Sequence, residues 1–124
     1  MEPKQTTDTE PTPPVTRTIL SRTTLGPAHL TAAVEIRRIA IAPGQAAGAH
    51  VHNGPVFGSI ESGSAVYQIA GEAESVLRPG DVFYEPEATT IDRFDATEEG
   101  VTFLAYFLLT AGQDPTIEFV EDPA

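Results

Sequence analysis

Apolar and polar positions alternate along this chain in short runs that turn residues keep interrupting. In "SAVYQIA", Ala65, Tyr67 and Ile69 take one parity and Val66, Gln68 and Ala70 the other, as in a strand with two unlike faces. "AVEIRRIAIA" alternates but slips, with Val34 and Ile36 on one parity and Ile39 and Ile41 on the other. A β-bulge near Arg37-Arg38 would turn all four inward. "VTFLAYFLL" is apolar on both parities, which predicts a central strand covered on both faces. Turn signals fall at Gly26-Pro27, Pro43-Gly44, Asn53-Gly54-Pro55, Ser62-Gly63-Ser64, Gly71, Pro79-Gly80 and Glu99-Gly100. That spacing leaves little room for helices and predicts an all-β sandwich or barrel.

The ends differ from the middle. Residues 1–14 are polar, carry four of the 11 prolines and read as a disordered arm. A folded domain is expected over 15–120, with a last strand at Thr116–Val120 and a flexible acidic tip at 121–124. One domain suits 124 residues.

Composition narrows the chemistry. Cysteine is absent, which removes disulfides, thiolate metal sites and thiol nucleophiles. Seven Lys and Arg against 18 Asp and Glu give a net charge of −11. Such a surface repels nucleic-acid backbones and anionic membranes, so neither is an expected partner. The longest apolar run, Val101–Ala111, is too short to span a bilayer, and the N-terminus lacks the apolar stretch of a signal peptide. A soluble, cytoplasmic protein is expected.

The candidate chemistry lies in "PGQAAGAHVHNGPVFGSIESG". In a strand, His50 and His52 project from the same face and can converge on one ion. Imidazole suits several divalent transition metals, yet two histidines fill only part of a coordination shell. The pair is therefore either the start of a metal site or a hydrogen-bonded polar pair in a pocket. His29, the remaining histidine, follows Gly26-Pro27 and reads as a loop residue.

The segment resembles the first motif of the cupin superfamily, with Gly44, His50, His52 and Gly63 in place and Val56 at the glutamate position. "GDVFYEPEATTIDRFD" resembles the second, with Gly80 and Pro86 in place, Ala88 at the glycine, Ile91 at the histidine and Asp95 at the asparagine position. The likeness runs over residues 30–109 and is nearest to small single-domain bacterial cupins. It implies a double-sheet antiparallel β-barrel of jelly-roll type, a ligand cavity between the sheets, and a homodimer, to which Arg17–Arg22 could add an edge strand. Cupin metal sites usually take three histidines and a glutamate, and only His50 and His52 remain of the four. Gln68, Tyr84, Glu85 and Tyr106 are candidates to complete the set. Glu72, Glu74, Glu85, Glu87, Glu98 and Glu99 otherwise read as solvated surface.

The first functional expectation is a cupin enzyme moving protons in isomerisation, cyclisation or elimination. His50 and His52 would serve as acid–base or residual metal groups, and Arg93 as an anion anchor sharing a face with Ile91 and Asp95. Against that role stands a simple rim salt bridge between Arg93 and Asp95. The pocket would be lined by Val56, Ile60, Gln68, Tyr84, Ile91 and Tyr106. A divalent transition metal and no cofactor at all are both open. The alternatives are a non-catalytic small-molecule binding module and a metal-dependent oxygenase with ligands not recognisable from sequence.

Overall fold

A computed structural model describes residues 14–120. Residues 1–13 of the expected arm and the expected tip lie outside the described residues. The order is β1 (Ala33–Ile41), β2 (His50–His52), β3 (Val56–Ile69), β4 (Ser75–Leu77), β5 (Val82–Glu85), β6 (Ile91–Leu109) and β7 (Ile117–Phe119), with no helix among the described residues.

β6, of 19 residues, is the spine. β1 runs antiparallel along its second half, from Ala33 opposite Leu109 to Ile41 opposite Val101. β3 follows the other edge of β6 for most of its length. β5 and β4 add to the far edge of β3, at Val56–Ser59 and Ala65–Tyr67. β2 touches β6 at one pair, His50 opposite Ile91, and takes β7 on its other edge. This is the expected all-β antiparallel barrel. Its two halves belong to one continuous ladder, because β3 and β6 are long enough to serve both.

Both strands run through residues that carry turn signals. Ser62-Gly63-Ser64 and Glu99-Gly100 do not end strands; they bend them. Gly63 and Gly100 both have positive φ, 73° and 70°. A Cβ on Gly63 would overlap the Gly100 carbonyl oxygen, so the two backbones cross at a distance only glycine allows. The bend folds β6 over itself: Phe94 from one half faces Phe103 from the other, ring centroids 4.7 Å apart. Phe83 joins them at 5.1 and 5.7 Å. Burying each ring contributes roughly 1.5–3 kcal/mol.

The β1 bulge does not occur. Its register with β6 is unbroken, so alternation leaves Val34 and Ile36 exposed on the outer face while Ile39 and Ile41 face the core. Nor is β6 covered on both faces. Its odd positions from Val101 to Leu109 are buried, and Thr102, Leu104, Tyr106 and Leu108 only partly so. No helix among the described residues is long and apolar enough to cross a membrane.

Candidate metal centre

β2 presents His50 and His52 to the barrel interior, both buried. Antiparallel pairing with β7 fixes their direction: His50 stands opposite Phe119 and His52 opposite Ile117. The turn that follows locks the arrangement. Asn53 donates from Nδ2 to the Asp114 carbonyl and accepts from the Thr116 amide, at 2.9 and 3.0 Å. Gln113 Nε2 donates to the Asn53 carbonyl at 3.0 Å.

The tautomer of His50 follows from its partners. Nδ1 lies 2.7 Å from the Gly48 carbonyl oxygen. A carbonyl only accepts, so Nδ1 carries a proton and Nε2 of the neutral ring is a lone pair. That Nε2 is 3.1 Å from Glu85 Oε1. A lone pair facing a carboxylate oxygen is repulsive, so something positive belongs between them: a second proton on the ring, or a metal ion. His52 Nε2 lies 2.7 Å from the same oxygen, while its buried Nδ1 has no partner.

Glu85 is the residue that turns a pair into a site. It sits on β5, where Phe83 and Glu85 face inward and Val82 and Tyr84 lie half-buried. It is 4% exposed, which corrects its reading as solvated surface. Its cross-strand partner is Val56, the position where the first motif should carry its acid. Directly opposite residues in an antiparallel pair share a face with side chains in reach of each other. From the strand beside that position, the Glu85 carboxylate reaches both histidines. One potential ligand atom from each of His50, His52 and Glu85 lies within 4.8 Å of the others.

The electrostatics agree. Burial pushes the Glu85 carboxyl up, but the bonds to His50 and His52 outweigh it and hold it below its ordinary value. Burial pushes His50 down, but the bonds to Glu85 and Gly48 raise it overall. These shifts come from the hydrogen-bonded cluster itself, and imidazole and carboxylate are donor types that suit divalent transition metals.

A cavity of about 380 Å³ opens beside the triad, lined by all three of its residues together with Val56, Phe107 and other apolar side chains. Of the residues expected to line it, Ile60 and Ile91 are buried but stand off its wall. Ile91 fills the place of the missing histidine beside His50, fully buried. Gln68 donates to the Glu72 carbonyl, Tyr84 stacks on Phe57 at 4.8 Å, and Tyr106 lies on the half-buried outer side of β6; none reaches the cavity. Arg93 is exposed and paired with Glu74 and Asp95. Its expected direction fails because a bulge intervenes. Gln68 pairs with Arg93 but Ile69 with Ile91, so Asp92 is an extra residue and the parity between Ile91 and Arg93 flips. His29 stays in its loop, 3.1 Å from Thr31 Oγ1.

A family model described as Cupin domain matches residues 37–103, more than half of the chain. The chain belongs to the cupin family. Among solved structures, this cupin is similar to a DMSP lyase at 21% identity and TM-score 0.63, the match covering 77% of this chain and 49% of the other. It is similar to oxalate oxidase in complex with glycolate at 24% and 0.60, covering 70% and 46%. A third likeness is to oxalate decarboxylase of Bacillus subtilis, studied for its Mn(II) centres, at 25% and 0.58, covering 64% and 22%. This cupin thus spans about half the length of the first two structures. No curated protein matches it.

In this cupin Val56 and Ile91 leave two of the four usual donor positions apolar, and Glu85 brings a carboxylate to the histidines from outside the motif positions. The signal was present in "VFYEP": a charged residue on the parity of an inward phenylalanine, one step before a proline that ends the strand.

Proposed function

We propose that this cupin is a metal-dependent small-molecule enzyme, with His50, His52 and Glu85 as its protein ligands. The carrying observation is the convergence of both imidazole Nε2 atoms on one buried carboxylate oxygen. A divalent transition metal held there supplies Lewis-acid or redox chemistry through coordination positions that the three side chains leave open. The protein's own part is to orient. The Gly48 carbonyl fixes the His50 ring, the Asn53–Gln113 clamp fixes the strand that carries both histidines, and the apolar wall limits water.

Two histidines and one carboxylate with open positions also suit oxygenase chemistry. Among the described residues, the three ligands are the only ionisable side chains lining the cavity. With all three engaged, no further side chain there is free to shuttle protons, which favours chemistry at the open positions over acid–base work by histidine. Proton transfer of the isomerase, cyclase or lyase kind is the second reading. It is supported by the His50–Glu85 hydrogen bond, which can hold a movable proton. The solved structures this cupin resembles include a lyase, an oxidase and a decarboxylase.

Purified untagged protein, supplemented in turn with manganese, iron, nickel and zinc, should retain one ion per chain by mass spectrometry of metals. A His50→Ala/His52→Ala variant should retain none. Absence of bound metal under every supplement removes the metalloenzyme reading and leaves proton transfer.

A homodimer accompanies this proposal. In its support, β1 pairs only with β6 among the described residues, leaving its other edge open. Ile19 and Leu20 within Arg17–Arg22 are exposed, as are Val34 and Ile36 on the outer face of β1.

A further inference from the structure

The cavity wall is almost wholly alkyl and aryl carbon: Ile39 and Ile41 from β1, Phe83 from β5, and Phe94, Phe103 and Phe107 from β6. Ionisable groups enter only through the triad. Among the described residues, no lysine or arginine lines it. The guanidiniums nearby are paired with carboxylates outside the cavity, although Arg37 lines an adjoining hollow with His52. Arg37 lies over the Phe107 ring at 5.0 Å and pairs with Glu35, Arg38 pairs with Glu61, and Arg93 with Glu74 and Asp95.

This distribution of charge selects a ligand. A dicarboxylate entering the chamber would shed its water without finding a cation in the wall. Glu85 and the net charge of −11 oppose its approach. On the metal reading above, on which this inference rests, a divalent ion set against one carboxylate and two neutral imidazoles leaves a single net positive charge. That is too little to neutralise a dianion. The volume, about 380 Å³, holds on the order of a dozen non-hydrogen atoms at the ~30 Å³ that a water occupies in the liquid. Ala42 and Ala46, exposed at the mouth, and Phe119 on β7 leave the entrance apolar as well.

We infer that the substrate is an uncharged, mainly apolar molecule of about this size, bearing an aryl or branched alkyl body and presenting one oxygen to the triad. This cupin therefore parts from the oxalate enzymes it resembles in the charge of what it accepts.

The test is calorimetric titration of the full chain, metal-free and metal-loaded, with acetophenone as the uncharged aryl probe and oxalate as the dianion. Acetophenone should bind at least tenfold more tightly than oxalate in both forms. Ala46→Arg, which places a cation on the mouth, should strengthen oxalate binding about tenfold and narrow the preference for acetophenone. Oxalate binding as tightly as acetophenone to the wild-type protein, or acetophenone failing to bind either form, overturns the inference. Metal content, measured on the same samples, separates the two claims. Acetophenone binding to a protein that takes up no metal sustains the apolar chamber and removes the metal reading. Stoichiometric metal with a preference for oxalate does the reverse.

Discussion

Replacing Glu85 is the sharpest perturbation of this structure. In Glu85→Val, two buried imidazole nitrogens lose a shared partner at 3.1 and 2.7 Å. Removing one member of a buried ionic pair typically costs 3–5 kcal/mol, here about 4 kcal/mol in the metal-free protein. Metal affinity should fall further in relative terms. Loss of an outer-shell partner already costs 10–100-fold, so loss of a direct ligand should cost at least ~100-fold. Glu85→Gln keeps the shape and can still hydrogen-bond both rings; it should lose metal with less loss of stability. The decisive variant restores the acid on the neighbouring strand. Val56 faces the same cavity and stands opposite Glu85, so Val56→Glu with Glu85→Val should recover affinity to within about tenfold of wild type. The assay is competition with a calibrated chelator, with circular dichroism to confirm folding. Stoichiometric metal at unchanged affinity in a folded Glu85→Gln protein would refute the assignment of Glu85 as a ligand. A folded double variant with no recovery would refute the equivalence of the two positions.

The pH response has a defined sign. Glu85 is lowered from 4.5, so its contribution to metal-free stability is full above pH 4.5 and is lost as pH falls through its lowered value. His50 is raised from 6.5, so its contribution is full below pH 6.5 and is lost as pH rises through its raised value. The pair thus contributes most between about pH 4.5 and 6.5, and the melting temperature of chelated protein should fall from pH 6 towards pH 9. Metal affinity should rise over the same range as His50 gives up its proton, and a chelator titration showing the opposite slope would sink this account. Gly58→Ala would drive a methyl into the Phe83 ring, costing about 3 kcal/mol in urea unfolding and narrowing the cavity that Phe83 lines; a cost under about 0.5 kcal/mol would contradict the packing. Arg93→Ala should leave metal content and melting temperature unchanged, because its partners Glu74 and Asp95 lie outside the cavity. Light scattering should give twice the chain mass; a concentration-independent monomer would remove the dimer proposal.

Much of the barrel was legible because strand alternation and turn residues are local signals. "SAVYQIA" and the terminal strand at Ile117–Phe119 lie where the pattern placed them. Features that depend on register were not legible. The bulge at Asp92, which turns Arg93 outward, shows in "IDRFD" only as the opposite parities of Ile91 and Phe94, and the same kind of slip in β1 accompanies no bulge. The bends at Gly63 and Gly100 read as strand ends because a glycine of positive φ serves a turn and a barrel corner equally well. At the candidate site, His50 and His52 were visible through their spacing. Glu85 was the harder ligand, since its relation to Val56 exists only across a strand pair. A motif counts along one chain, whereas a coordination shell is assembled from neighbours in space.

The way β2 is held also bears on the order in which the protein is built. Its one bridge to the rest of the sheet is the pair with Ile91, and its full-length neighbour is β7. Between His52 and its partner Ile117 the ribosome must deliver all of β3, β4, β5 and β6. Loop closure over that distance comes late, after the β3–β6 ladder has given the sheet something to close against. During synthesis the two histidines therefore emerge long before the strand that pairs along their full length, leaving an interval in which the nascent chain displays imidazoles without β7 beside them.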